Sequence, residues 1–135
     1  ESPPEALATV IVLDQFSRNS YRGSPRAFAC DPLALSIAQG AIERGFDQRL
    51  DLRQRVFIYM PFEHSEERAM QARSVKLFRS LGDGRFLRYA QERRDIVDRF
   101  GRFPHRNRIL DRTSTAEELQ FLKEQPGSYD WTPTD

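Results

Sequence analysis

The chain is 135 residues long, 39% hydrophobic and 30% charged, with a formal net charge of +1. That length and balance fit one folded domain with its own core and exclude intrinsic disorder. A single cysteine excludes an internal disulfide scaffold, and no apolar run approaches the roughly 18 residues of a membrane span.

No alternating β-branched run marks a strand, and the punctuation is that of helices. Residues 5–16, entered through Pro3 and Pro4, read as a helix with Leu7, Val10 and Ile11 on one face. The other apolar residues around it make it a central, buried helix. Residues 17–24 read as a polar turn, and Ser24–Pro25 as the cap and first-turn proline of a short turn over 25–29. Asp31–Pro32 repeats that signature for a helix over 32–44, with Leu33, Ile37 and Ala41 inward and Gly45 as its stop. Gly40 inside it costs up to ~1 kcal/mol against Ala, which close approach of another helix would offset.

Asp51 with Gln54 reads as a capping box before the apolar run 56–60, which Pro61 ends or kinks. Ser65 caps the next helix, with Glu66 and Glu67 suiting its N-terminal dipole and Met70, Ser74, Leu77, Phe78 and Leu81 inward. Gly82 stops it. Residues 86–100 form a further helix with Tyr89, Ile96 and Phe100 aligned, stopped by Gly101. Ser114 with Glu117 caps a last helix over 115–124, ended by Pro126–Gly127. The expected architecture is all-α: about six helices stacked as antiparallel hairpins in one domain over residues 1–125, with a C-terminal tail at 126–135 that holds Trp131. No tetratricopeptide consensus repeats along the chain.

The positive charge is almost all arginine: 19 Arg against Lys76 and Lys123. Arginine forks suit carboxylates and phosphates, although a GC-rich genome also produces such a bias. The 20 acidic residues leave no basic footprint, so no nucleic-acid partner is expected. No membrane association and no signal peptide are expected either, which points to a soluble, cytoplasmic protein.

Four segments crowd polar groups against apolar anchors: residues 13–19, 21–28, 61–66 and 100–107. Asp14 falls three residues after Ile11 and seven after Leu7, on the apolar face, where a carboxylate needs a partner. Arg18, one turn on, is within reach. Phe16-Ser17-Arg18-Asn19 is echoed by Phe103-Pro104-His105-Arg106-Asn107. Each can plug the core with Phe and present Arg and Asn, as twin helix caps or as a two-sided clamp for a carboxylate or phosphate. His64 and His105 are the only histidines. Glu63 and His64 project about 100° apart on a helix, unlike a two-histidine metal site, so no metal and no cofactor are expected, and His64 reads as a capping or loop-tethering residue. Cys30 reads as a small buried residue, and neither a Gly-x-Ser-x-Gly elbow nor a phosphate loop occurs.

The stretches LDQFSRNSYRGSPRAFACD, YMPFEHSE, RFGRFPHRNRIL and DRTSTAEELQFL resemble the bacterial Domain of Unknown Function 924 family. They span most of the chain in the family's order. The resemblance implies an all-α fold akin to tetratricopeptide-like superhelices, and it implies no settled activity. Family members carry a further N-terminal stretch with aromatic residues, so this chain is expected to be truncated, with part of its core or of a pocket wall absent. Arg93 stands where the family pattern favours His, and Ser17 where it favours Pro.

Three readings of function follow. The first is a binding module whose site, drawn from Asp14, Arg18, Asn19, Arg22, Glu63, His64, Arg106 and Asn107, takes a small anion or an acidic peptide or protein. The second is an enzyme on a small anionic substrate, with Asp14, Glu63 or His64 as acid–base groups. The third is a purely structural polar network. Apolar surface left by truncation would favour self-association.

Overall fold

The computed structural model describes residues 2–124; the expected tail at 126–135, with Trp131, lies outside them. Helix α1 (Pro3–Ile11), a π-helical turn (Val12–Phe16) and α2 (Ser17–Ser20) form one continuous run. A 3₁₀ turn (Pro25–Phe28) leads to α3 (Asp31–Glu43), and another (Asp47–Arg49) to α4 (Leu52–Glu63). Then come α5 (Arg68–Ser80), α6 (Gly84–Phe100), a 3₁₀ turn (Pro104–Arg106) and α7 (Ala116–Glu124). The fold is all-α, without a strand among the described residues, and no helix in it is long and apolar enough to cross a membrane.

Helices adjacent in sequence are adjacent in space: α4 lies against α3 and α5, α5 against α6, and α3 returns onto α1. The main core gathers Val10, Ala38, Ile58, Tyr59, Phe62, Phe78 and Ala90 from five of these helices. Phe78 meets Tyr59 edge-on, with ring centroids 5.9 Å apart. A smaller core of Ile96, Val97, Phe103 and Phe121 ties α7 to the end of α6.

Local chemistry explains most boundaries. Ser2 and Glu5 close a reciprocal box at the start of α1, and Asp51 and Gln54 do so for α4, with bonds of 2.8 and 3.0 Å. Gly101 closes α6 in the left-handed conformation at φ 76°, where any Cβ is strained.

The fold departs from expectation in several places. The first helix is not buried all round: Ala6 and Val10 face the core, while Val12 and Phe16 are more than half exposed. On α3 the buried face is Ala34, Ala38 and Ala41, and Leu33 points outward. Three alanines let α1 and α4 approach the helix closely. No neighbour crowds Gly40, so close approach does not account for it. Helix α4 runs two residues past Pro61, because a proline in the last turn deprives only the Phe57 carbonyl of its donor. Helix α5 begins at Arg68 rather than at Ser65. The Ser65 hydroxyl instead accepts the Glu67 N–H at 3.1 Å in a turn, and Glu66 is committed to a distant arginine. The last capping box is shifted by one residue, to Thr115 and Glu118, with bonds of 3.0 and 2.9 Å. Cys30 is only half-buried, at the start of α3.

Candidate functional site

The site begins at the π-helical turn. It carries Asp14 inward, 1% exposed, and one turn later Arg18 closes an ion pair with it at 2.9 Å. Arg18 also grips Asp31 through two bonds of 2.9 Å, so one guanidinium ties the end of the first helical run to the start of α3. Asp31 sits in the first turn of α3, where the helix dipole favours a carboxylate. Gln15 donates to the other Asp14 oxygen at 2.7 Å.

The third partner of Asp14 comes from 50 residues away. His64, the C-cap of α4, places Nδ1 2.8 Å from Asp14 Oδ1. Burial pushes the Asp14 carboxyl up, but the His64 ring and the Arg18 guanidinium overcompensate and hold it at about 2. Asp14 is therefore an anion throughout the neutral range. It can orient the imidazole, and it cannot act as a proton donor there.

Arg106 approaches His64 from the opposite side. Its Nη2 donates to the His64 carbonyl at 2.8 Å, and its guanidinium lies 4.4 Å from the Phe28 ring centre and 4.8 Å from that of Phe103. Burial, with repulsion from Arg18 next, pushes it down to about 10. His105 beside it is driven by burial and by the surrounding arginines down to about 3, so its imidazole is neutral.

A second group braces this one. Glu66 takes Arg112 in a bidentate pair at 2.9 and 3.0 Å and accepts the Phe103 N–H at 2.7 Å. Arg112 also donates to Asn107 Oδ1 at 3.0 Å, and Asn107 donates to Ser114 at 3.0 Å. The Gln71 amide donates to the Glu63 and Ser65 carbonyls at 2.8 and 2.6 Å, which fixes the chain between α4 and α5.

Members of this network line one side of a cleft of about 460 Å³, within the size range of small-molecule sites. Phe28, Leu35, Pro61 and Leu110 supply apolar wall, and Asp31, His64, Glu66, Glu67 and Arg106 supply polar wall. A second cleft of about 540 Å³ lies between α4 and α6, lined by Phe57, Met60, Phe78 and Phe86 with Gln15, Glu63 and Arg93. The divergence of neighbouring side chains on a helix puts His64 on the first cleft and Glu63 on the second, where Arg93 stands 3.7 Å away.

Of the eight residues singled out in the sequence, six are buried: Asp14, Arg18, Glu63, His64, Arg106 and Asn107. The structure joins Asp14, Arg18, His64 and Arg106 in one network, of which His64 and Arg106 line the first cleft. Asn107 braces them from behind, and Glu63 faces the other cleft. Asn19 and Arg22 are exposed and line neither cleft, because the helical run ends at Ser20 just after turning Arg18 inward. The two echoed segments are not equivalent either: Phe103 is buried and Phe16 is exposed. Sequence reasoning missed Asp31, Glu66 and Arg112 as members of the network. The signal was available, since a chain that buries several arginines must supply them with carboxylates. Among the described residues, no three His, Cys, Asp or Glu side chains are grouped to hold a metal ion.

A family model described as a bacterial protein of unknown function (DUF924) matches residues 1–127. The solved structure of a protein of unknown function from Agrobacterium tumefaciens is similar to this chain, with 50% identity and a TM-score of 0.88; the match covers 91% of this chain and 69% of that one. No curated protein matches.

Proposed function

The chain belongs to the DUF924 family of bacterial proteins of unknown function, and from that placement we propose that it is a ligand-binding helical domain whose first cleft holds a small anion on Arg106. One observation carries this reading. The buried arginines Arg18 and Arg93, and the half-buried Arg102 and Arg112, each have a carboxylate partner: Asp14 and Asp31, Glu63, Glu118, and Glu66 respectively. Arg106 is 4% exposed, lines the cleft, and makes no ion pair within 4 Å; its Nε, like those of Arg18 and Arg93, has no hydrogen-bond partner. Asp31 and Glu66 favour the Arg106 charge only from beyond contact distance; a buried cation with no carboxylate in contact is costly, and an anion entering the cleft would relieve that cost.

Thermal unfolding with a panel of small anions tests this. An anion held at about 100 times its dissociation constant adds about 2.7 kcal/mol, a rise of several degrees for a domain of this size. At least one anion is expected to give that rise in the wild type and in Arg22→Met, whose altered side chain is exposed, and to give none in Arg106→Met. No response to any anion, or an equal response in Arg106→Met, would overturn the proposal.

A further inference from the structure

We infer that the ligand is a monocarboxylate with an apolar body, such as a medium-chain or aryl-substituted carboxylate, rather than a phosphate or a dicarboxylate; this rests on the anion-binding reading of the cleft. Three features of the same cleft select that class.

The first is the charge count. Arg106 is the lining cation with no carboxylate in contact, Asp31 and Glu66 reaching it only at longer range, and Asp31, Glu66 and Glu67 all line the cleft as acids. Arg18 and Arg112 are already engaged by two of those acids through bidentate bonds. One added negative charge is matched by Arg106. A second would face the acidic rim with no donor left to answer it.

The second is donor geometry. With the Phe28 and Phe103 rings 4.4 and 4.8 Å from the guanidinium centre, and Nη2 already donating to the His64 carbonyl, what Arg106 offers is a planar set of N–H groups. A planar fork matches the two oxygens of a carboxylate. His64 lines the cleft beside it, its ring orientation fixed by Asp14.

The third is the remaining wall. Phe28, Leu35, Pro61 and Leu110 make the cleft amphipathic, with apolar surface leading away from the one cationic end. A bare inorganic anion would leave that surface wet. A ligand with a hydrocarbon body covers it, and each buried methylene tightens binding about fourfold.

Titration calorimetry on the full chain separates the class from the site. Acetate, butanoate, hexanoate and phenylacetate are compared with succinate and inorganic phosphate, on the wild type, Arg106→Met and Leu110→Ala. The expected result is affinity rising about fourfold per methylene from acetate to hexanoate, with succinate and phosphate at least tenfold weaker than hexanoate. Arg106→Met should abolish binding of every carboxylate. Leu110→Ala should weaken hexanoate and leave acetate unchanged, which a loss of folding could not imitate. If phosphate or succinate binds best and Arg106→Met abolishes it, the anion site stands and the monocarboxylate class is overturned. If no anion binds, or binding is indifferent to Arg106→Met, the site and the class fall together.

Discussion

Arg106 and Arg18 are both buried, both near Phe28, and chemically identical, yet their replacement by Met should have unequal consequences for the ligand-free protein. For Arg106, burial holds the guanidinium down at about 10, equivalent to roughly 3 kcal/mol by which the fold disfavours its charge. Met removes that cost. It also removes the donor to the His64 carbonyl, a loss of about 1–3 kcal/mol, and part of the ring contact, about 0.5–2 kcal/mol, which the thioether recovers in part. The terms cancel to within about 2 kcal/mol. Arg18→Met has no compensating gain. It strips the ion partner from a fully buried Asp14 and breaks the two bonds to Asp31, so a loss of about 3–5 kcal/mol is expected, a large share of a domain's total stability. Urea unfolding followed by helical circular dichroism gives both numbers, with unchanged m-values as the check that the folded state is intact. A loss above about 3 kcal/mol for Arg106→Met would refute the reasoning. Arg106 would then be a structural member of the network, and the ground for an anion site would be gone.

Three further outcomes follow from the same contacts. Asp14→Asn should destabilise by about 3–5 kcal/mol near neutral pH, and its difference from wild type should shrink as pH falls below about 5. The folded carboxyl titrates at about 2 and the unfolded one near 3.8, so the unfolded chain takes up the proton first and wild type loses roughly 2 kcal/mol over that interval; urea unfolding across pH would expose the error as a constant difference. Glu66→Gln should cost about 2 kcal/mol, because it weakens a half-exposed bidentate pair and a backbone bond together, and proteolysis or amide exchange should show faster opening of the segment from Phe103 to Arg112. Gly101→Ala should cost about 1–2 kcal/mol by forcing a side chain to φ 76°; a thermal midpoint equal to wild type would contradict the left-handed cap.

What the sequence made legible is local. The Asp51–Gln54 box, the Asp31–Pro32 entry and the Gly45, Gly82 and Gly101 stops are complete within a few residues, so their chemistry can be read without knowing what lies opposite. The i,i+4 pairing of Asp14 with Arg18 is legible for the same reason. Legibility fails where a side chain has two competing partners. Ser65 and Glu66 form a good helix start on paper, yet Glu66 goes to Arg112, 46 residues on, and the helix begins later. Ser114 and Thr115 both fit a capping box with a Glu three residues on; Asn107 occupies the Ser114 hydroxyl and the cap falls to Thr115. The π-helical turn that aims Asp14 inward has no sequence signature of its own. Periodicity likewise named a face of α3 without distinguishing Leu33 from Ala34, because how closely neighbouring helices approach decides whether a large or a small residue is buried.

The candidate site follows this logic one step further. A sequence with 19 arginines states that several must be buried with carboxylates, but not which carboxylate goes to which arginine. Only when Asp14 and Asp31 are assigned to Arg18, Glu63 to Arg93, Glu66 to Arg112 and Glu118 to Arg102 does Arg106 stand out as the buried arginine with no carboxylate in contact, Asp31 and Glu66 acting on it only from farther away. No local motif distinguishes it; Arg18, within its similar Phe-Ser-Arg-Asn setting, holds two carboxylates. The ground for the proposed anion site is therefore a remainder, visible after the structural pairs are subtracted. A substitution that hands Arg106 a carboxylate tests that statement directly. Leu110→Asp, on the same cleft wall, should supply the missing counter-charge from within, leave stability close to wild type despite the loss of an apolar side chain, and compete away every added anion. A variant that unfolds, or that still binds anions as tightly as wild type, would show that Arg106 is not waiting for a counter-ion.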